Sequence, residues 1–192
     1  FNTNIIRRTA EFLEEIHPEE LKNGQVQFMC IGRKGYDHFK KRQYNVNGQN
    51  FDVYTDLTFE AVNAVADQVF EKFLSGEVDK VYLAFNEFKN TMTQIRRVES
   101  YLPLAVAEID AEAPESSSSD YLFEPGREEI LKDLIPKALR LQLFRAVIDS
   151  NAAEQGARMV AMDSATSNAE DLLRDLRVRY NKARQASITK EI

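Results

Sequence analysis

Few residues in this chain have the type and spacing that chemistry needs. There is one cysteine, Cys30, and two histidines, His17 and His38, twenty-one positions apart. No ligand spacing for a metal follows from these. The nucleophile elbow GxSxG, the zinc motif HExxH and the kinase motifs are all missing. One turn has the shape of a ligand cradle. Gly32-Arg33-Lys34-Gly35 closes an apolar run and precedes a short helical stretch, Tyr36 to Arg42. Glycines between a strand and a helix can bring backbone N–H groups to a phosphate. The turn lacks both the dinucleotide pattern GxGxxG and Walker A, so it reads first as a tight connection. Cys30 lies inside the apolar run and reads as a small core residue. His17 precedes Pro18 and reads as a surface residue at a helix end. Between Glu108 and Glu129 there are eight acids and one base. They surround the serines Ser116 to Ser119, so they read as a solvated or partner-facing surface in a mobile loop.

The elements that must carry these residues alternate. A first helix runs to His17, capped by Asn2, Thr3 or Asn4 and lined by Ile6, Ala10, Leu13 and Ile16. Gln25 to Gly32 is a strand buried on both faces, with Val26, Phe28 and Cys30 on one and Met29 and Ile31 on the other. Asn47-Gly48 marks a turn before a short strand, Asn50 to Tyr54. Thr58 caps a helix to Leu74, with Phe59, Val62, Ala66, Val69 and Phe73 facing inward. Ser75-Gly76 stops it. Val78 to Phe85 and Thr91 to Tyr101 read as two more strands, the second closed by Pro103. This order predicts a small α/β layer domain over residues 1–107. Its sheet lacks an opening strand. Residues 108–125 follow as an acidic loop, and 126–192 as a short helix and a long one, with Pro136 at the first turn of the long helix or kinking it.

The long helix is the dominant element. Lys137 to Ile192 holds no proline, one glycine (Gly156) and ten alanines. At 1.5 Å per residue it would extend roughly 84 Å, too long to stand alone in water. Leu139, Leu143 and Val147 begin an apolar stripe. Ala153, Ala157, Ala161, Ala165 and Ala169 continue it at spacing four, with Ala146 and Ser150 on nearby turns. Leu172, Leu173, Leu176 and Tyr180 restore bulk. Such a seam predicts a coiled coil or similar extended pairing, drifting from a clean heptad.

Composition agrees with a foldable chain that interacts through charge. Hydrophobic residues make 43% and charged residues 29%, and the net charge of −6 argues against a nucleic-acid partner. From Asp171 to Ile192 there are six bases and three acids, the reverse of the acidic segment. That asymmetry predicts two different partner surfaces. No apolar run approaches the length of a membrane helix. A lone cysteine fits a reducing compartment. The chain starts on Phe1 and stops within helical sequence, which reads as a fragment.

Several motifs are specific enough to carry a resemblance. They are Ala157-Arg158-Met159-Val160-Ala161-Met162 and the run from Tyr180 to Glu191, YNKARQASITKE. Asn86 to Met92, Asp120-Tyr121-Leu122-Phe123-Glu124-Pro125 and Gly32-Arg33-Lys34-Gly35 extend it. Together they make the chain resemble the gamma subunit of F-type ATP synthase. The resemblance implies a Rossmann-like α/β domain plus a long C-terminal helix that belongs to an antiparallel coiled coil. The pairing N-terminal helix and the first strand of that family are missing from this chain. It implies a central-stalk rotor that couples proton-driven rotation of a membrane c-ring to ATP synthesis or hydrolysis in the alpha/beta head. Such a subunit has no catalytic residue, cofactor or metal of its own. The partners implied are the alpha and beta subunits, the epsilon subunit and the c-ring, at the cytoplasmic face of a bacterial inner membrane. By position, Arg184, Gln185, Thr189 and Glu191 match family residues that touch a beta subunit. Tyr121, Phe123 and Glu124 match the surface near epsilon and the c-ring. The plant type's cysteine-bearing insertion is absent, so thiol control is not implied. Two other readings compete: a Rossmann-type nucleotide-binding enzyme with a helical arm, and a free-standing coiled-coil adaptor that self-dimerises through its alanine seam.

Overall fold

The computed structural model describes residues 1–104 and 126–190. The expected acidic loop, and with it Tyr121, Phe123 and Glu124, lies outside the described residues, as does Glu191. The elements run α1 (Asn2–Ile16), α2 (Pro18–Lys22), β1 (Gln27–Ile31), α3 (Arg33–Lys41), β2 (Asn45–Asn50), a 3₁₀ turn (Asp52–Tyr54), α4 (Phe59–Leu74), β3 (Val81–Phe88), β4 (Gln94–Leu102) and α5 (Arg127–Lys190).

The expected small α/β domain with a long C-terminal helix is what forms, but its strands make two separate sheets. β1 pairs with β2 in parallel, and β3 pairs with β4 antiparallel. β1 separates two apolar layers, as its alternation predicts. Phe28 and Cys30 join Ile6, Leu13 and Phe39 from α1 and α3, and Phe28 stacks on Phe39 at 4.1 Å between centroids. Met29 and Ile31 face the other way, onto the cluster that joins α4, β4 and α5. Burial pushes the Cys30 thiol up to about 11, because a thiolate there would lose its hydration.

Several local expectations fail, each for a physical reason. Phe1 is the N-cap of α1, and no side chain caps it. Asn2 to Asn4 are already in the helix, with the Asn4 N–H bonding the Phe1 carbonyl at 3.2 Å. Ile16 is 51% exposed and Phe59 38%. Ile16 sits at the last turn of α1, and Phe59 caps the edge of Phe144 instead. Asn47-Gly48 is no turn, because it lies within β2, held by parallel pairing with β1. Gly48 sits at φ 83° beside a register shift, the left-handed conformation glycine takes without steric cost. The expected strand Asn50 to Tyr54 is replaced by the 3₁₀ turn. His17 is not a bare surface residue. Its Nε2 lies 3.0 Å from the Tyr82 hydroxyl and its Nδ1 3.5 Å from Glu20. Thr58 does cap α4, accepting the Ala61 N–H at 3.3 Å.

α5 is one helix of 64 residues through Pro136, about 96 Å long at 1.5 Å per residue. A proline removes one N–H from this ladder and the helix continues. Leu139, Leu143 and Val147 are buried in the domain, not against a second helix. Each such side chain contributes up to about 1.5–3 kcal/mol. The buried Tyr101 hydroxyl donates to the Leu139 carbonyl at 2.9 Å. Arg140 pairs with Asp67 at 2.8 Å, and Gln142 donates to Glu99 at 3.2 Å. The small residues that follow also face the domain. Ala153 is fully buried, and a Cβ on Gly156 would stand 3.1 Å from the Phe88 ring and 3.4 Å from the Thr91 Cα. The first part of the expected helix-pairing seam therefore seats the β3–β4 hairpin.

Two outcomes check this packing. Gly156→Leu should destabilise the fold by about 1–3 kcal/mol through overpacking, read as a lower urea midpoint at unchanged slope, with faster amide exchange in the hairpin turn Asn90–Thr93. The Cys30 thiol, kept protonated by burial, should react with a disulfide reagent at pH 8 far more slowly than a free cysteine, and unfolding in urea should raise the rate to that of a free thiol.

Candidate functional site

The domain spends its own surface on α5 only as far as the hairpin. From Ala161 to Thr189 every residue is exposed, a length of about 43 Å. This segment is not uniformly polar. Met162 is 65% exposed, Leu173 49%, Leu176 54% and Tyr180 68%. These four lie on a stripe that alternates steps of three and four residues down the whole outer side of α5. It begins at Leu134, Leu141 and Ile148, all exposed, and passes through Ala152, Met159, Met162 and Ala169 to Leu173, Leu176, Tyr180 and Ala183. Arg145, Gln155 and Thr166 interrupt it. A mean step of 3.5 keeps one face toward a partner helix that winds with it. The exposed apolar face is thus a heptad stripe, offset from the spacing-four seam expected from the sequence. That seam mixed the hairpin seat with the free shaft.

Arg184, Gln185 and Thr189 occupy the last described turns of α5, exposed, within an arc of about 140° at 100° per residue. The Thr189 hydroxyl donates to the Gln185 carbonyl at 2.8 Å, which fixes its rotamer and leaves the arginine to extend into solvent. Arg174, Arg177, Arg179, Lys182 and Arg184 make this end of the rod basic. Among the described residues, only Arg174 of these pairs with an acid, Asp171 at 3.7 Å.

A second surface lies between the two sheets. β1 and β3 do not pair with each other. Between them lies a cavity of about 1060 Å³, lined by Phe28, Cys30, Leu83 and Phe85 from the strands and by Val65 and Leu143 from the helices. Among the described residues, one edge of β1 and one edge of β3 have no strand partner, and both strands line this slot. A polar chain closes one end. Asn47 donates to Gln27 at 2.7 Å, Gln27 donates to Glu77 at 3.2 Å, and Lys72 pairs with Glu77 at 2.5 Å. The lysine and glutamine bonds hold the Glu77 carboxyl below the ordinary carboxylate range.

The glycine turn after β1 is filled by protein. Gly32 sits at φ 101°, and a Cβ there would stand 3.2 Å from the Tyr54 ring. The Tyr54 ring thus packs against the glycine turn that follows β1. Among the described residues no cluster of three metal-ligating side chains occurs, and no helix is long and apolar enough to cross a membrane.

Comparison with known proteins bears on the whole chain. The family model described as ATP synthase matches residues 1–192. The ATP synthase gamma chain of Chloroherpeton thalassium is 43% identical over 199 residues, covering 100% of this chain and 66% of that protein. The gamma chain of Christiangramia forsetii is 45% identical over 192 residues, covering 100% and 64%. The chain thus spans just under two thirds of the length of these curated relatives. A cryo-EM structure of the Tetrahymena thermophila mitochondrial ATP synthase central stalk and c-ring superposes with a TM-score of 0.56 at 21% identity, covering 86% of this chain and 69% of that one. That likeness concerns the fold: an α/β domain from which one long helix projects. With every one of its residues matched by the family model and by gamma chains at more than 40% identity, the chain belongs to the ATP synthase gamma-chain family.

Proposed function

We propose that this chain is the greater part of a central-stalk rotor subunit, which couples proton-driven rotation of a c-ring to ATP synthesis or hydrolysis in an alpha/beta head. The observation that carries the reading is the shape of α5: embedded in the domain to Gly156, bare from Ala161 onward, with a heptad stripe along its outer side. A helix with that much exposed apolar surface needs a companion along its length. The companion is a second helix, antiparallel, from the third of the relatives' length that this chain does not span. The apolar slot takes a strand from the same region, because two open strand edges facing each other accept one extended segment.

The division of labour follows. Residues 1–107 form the foot, 108–125 carry the acidic surface, and 126–192 are the shaft. Arg184, Gln185, Thr189 and Glu191 meet a beta subunit; Tyr121, Phe123 and Glu124 meet epsilon and the c-ring. The subunit works at the cytoplasmic face of a bacterial inner membrane. It has no catalytic site of its own. An asymmetric rod within a ring presents a different side to each surrounding subunit and so stabilises a different conformation in each. Rotation then changes nucleotide affinity through differential contact energy. Arg184 suits a moving contact, since a guanidinium bonds a carboxylate at two points and can exchange partners.

Three measurements test this on the full-length subunit reconstituted with its complex. Truncation before Arg184 should abolish proton-driven synthesis; intact synthesis would sink the contact assignment. Arg184→Ala alone should lower the coupled rate no more than about fivefold, the equivalent of about 1 kcal/mol for an exposed ion pair. Leu173→Glu with Leu176→Glu should prevent assembly of the shaft. If instead the unsubstituted subunit sediments as a stable self-dimer and does not assemble with alpha and beta, the adaptor reading takes its place.

A further inference from the structure

The domain holds α5 only from Leu139 onward. Leu139 is the first buried residue of the helix, and no described side chain in 128–138 is buried. The holding contacts begin at the same point. The Tyr101 hydroxyl donates to the Leu139 carbonyl, and Arg140 reaches Asp67 and the Phe70 ring on α4. The turns before Leu139 therefore project from the domain as an arm. Local features keep that arm helical. Glu128 and Glu129 stand in its first turn, where carboxylates complement the helix dipole, and the Ile130 N–H bonds the Gly126 carbonyl at 3.0 Å. Pro136 lies less than one turn before the anchor. It has no N–H for the Lys132 carbonyl, and its ring crowds that carbonyl. The weakest rung of the ladder thus falls between a held helix and a free one. Lys137 and Asp133 pair across it at 2.6 Å, both largely exposed, and such a pair contributes little.

We propose that Pro136 is a directional hinge, about which the arm 127–135 bends toward its own apolar face while the shaft beyond Leu139 stays fixed to the domain. The direction follows from helix geometry. At 100° per residue, Ile130, Leu131, Leu134, Ile135, Ala138 and Leu141 share one side of α5. Leu131, Leu134, Ile135 and Leu141 on that side are exposed. Pro136 falls opposite the middle of it. The side that carries the ring and lacks the hydrogen bond is the side that opens, so the helix closes on its apolar side. Lys132 is exposed, so water can satisfy the carbonyl that bending uncovers. The bend turns the apolar face of the arm toward Leu141 and leaves the buried joint at Leu139 and Leu143 undisturbed. The arm can thus change direction without moving the shaft.

Spin-label distances and amide exchange on the full-length subunit test this. With Cys30→Ala as background, Glu128→Cys and Arg145→Cys place labels at exposed positions on either side of Pro136. Their distance distribution should be broad, with a shoulder on the short side. Pro136→Ala restores the missing N–H and raises helix propensity, so its folding is not at risk. It should narrow the distribution, remove the short shoulder and slow exchange of the 128–135 amides at least about tenfold. A distribution equally wide in both proteins would overturn the hinge. Broadening toward long distances instead of short would overturn its direction. Exchange of the arm amides at the rate of an unstructured chain, with proline in place, would leave no lever to swing and sink the proposal too.

Discussion

The packing of α5 from Leu139 to Gly156 fixes everything else. That stretch is where a helix far longer than the domain is joined to it, and the join uses two kinds of side chain in sequence. Leu139, Leu143 and Val147 enter the core between α4 and β4. Ala146, Ala153 and Gly156 then allow the β3–β4 hairpin to lie almost on the helix backbone. Large residues supply burial, and small ones supply approach. The exit direction of the shaft is set by how closely the hairpin can seat. The polar fasteners add orientation more than energy. Tyr101 is buried, its hydroxyl is pushed up to about 12 by that burial, and it remains a donor to the Leu139 carbonyl at any physiological pH. Arg140 holds Asp67 of α4 from the other side and lies over the Phe70 ring, 5.9 Å from its centroid.

The open slot is held apart by design of the same kind. Asn47, Gln27, Glu77 and Lys72 tie β1 and β2 to the loop before β3 across one end. Such a chain fixes the spacing of the two sheets without filling the space between them. The apolar walls remain, as do the unpaired strand edges, which otherwise invite pairing with any extended chain. A complete sheet would bury both.

Much of this was legible in the sequence where one physical rule dominates locally. The two-faced burial of β1 was plain from Phe28 and Cys30 against Met29 and Ile31. Thr58 and Ser75-Gly76 bounded α4 by capping chemistry alone. What failed was where tertiary contact overrides local preference. Asn47-Gly48 has strong turn chemistry, yet parallel pairing with β1 draws it into a strand. Pro136 lies inside one continuous helix and not at its first turn. His17 has no neighbour in sequence to announce Tyr82, 65 positions away. The long helix was evident, but its faces were not. Alanines at spacing four suggested one continuous pairing seam, when the first of them meet a hairpin. The heptad stripe became visible only when burial removed Leu139, Leu143 and Val147 from contention. Of the proposed contact residues, Arg184, Gln185 and Thr189 came from motif resemblance; nothing in their spacing distinguishes them from any solvated helix end.

In the rotor proposed above, force passes through shape, and the energies say why. Each exposed ion pair contributes roughly 0–1 kcal/mol, and the basic residues between Arg174 and Arg184 are spread around the helix. No pair among them is strong enough to hold the helix in place against a sustained load. What they can do is bias encounter and soften each step, since the charges exchange partners at little cost. The load must fall on bending stiffness and on the apolar stripe, where a second helix would bury Met159, Met162, Leu173, Leu176 and Tyr180 together. Two helices locked by such a stripe resist bending far better than one. On the proposed pairing, the helix past Gly156 is half of a shaft, and its companion supplies stiffness as well as contact.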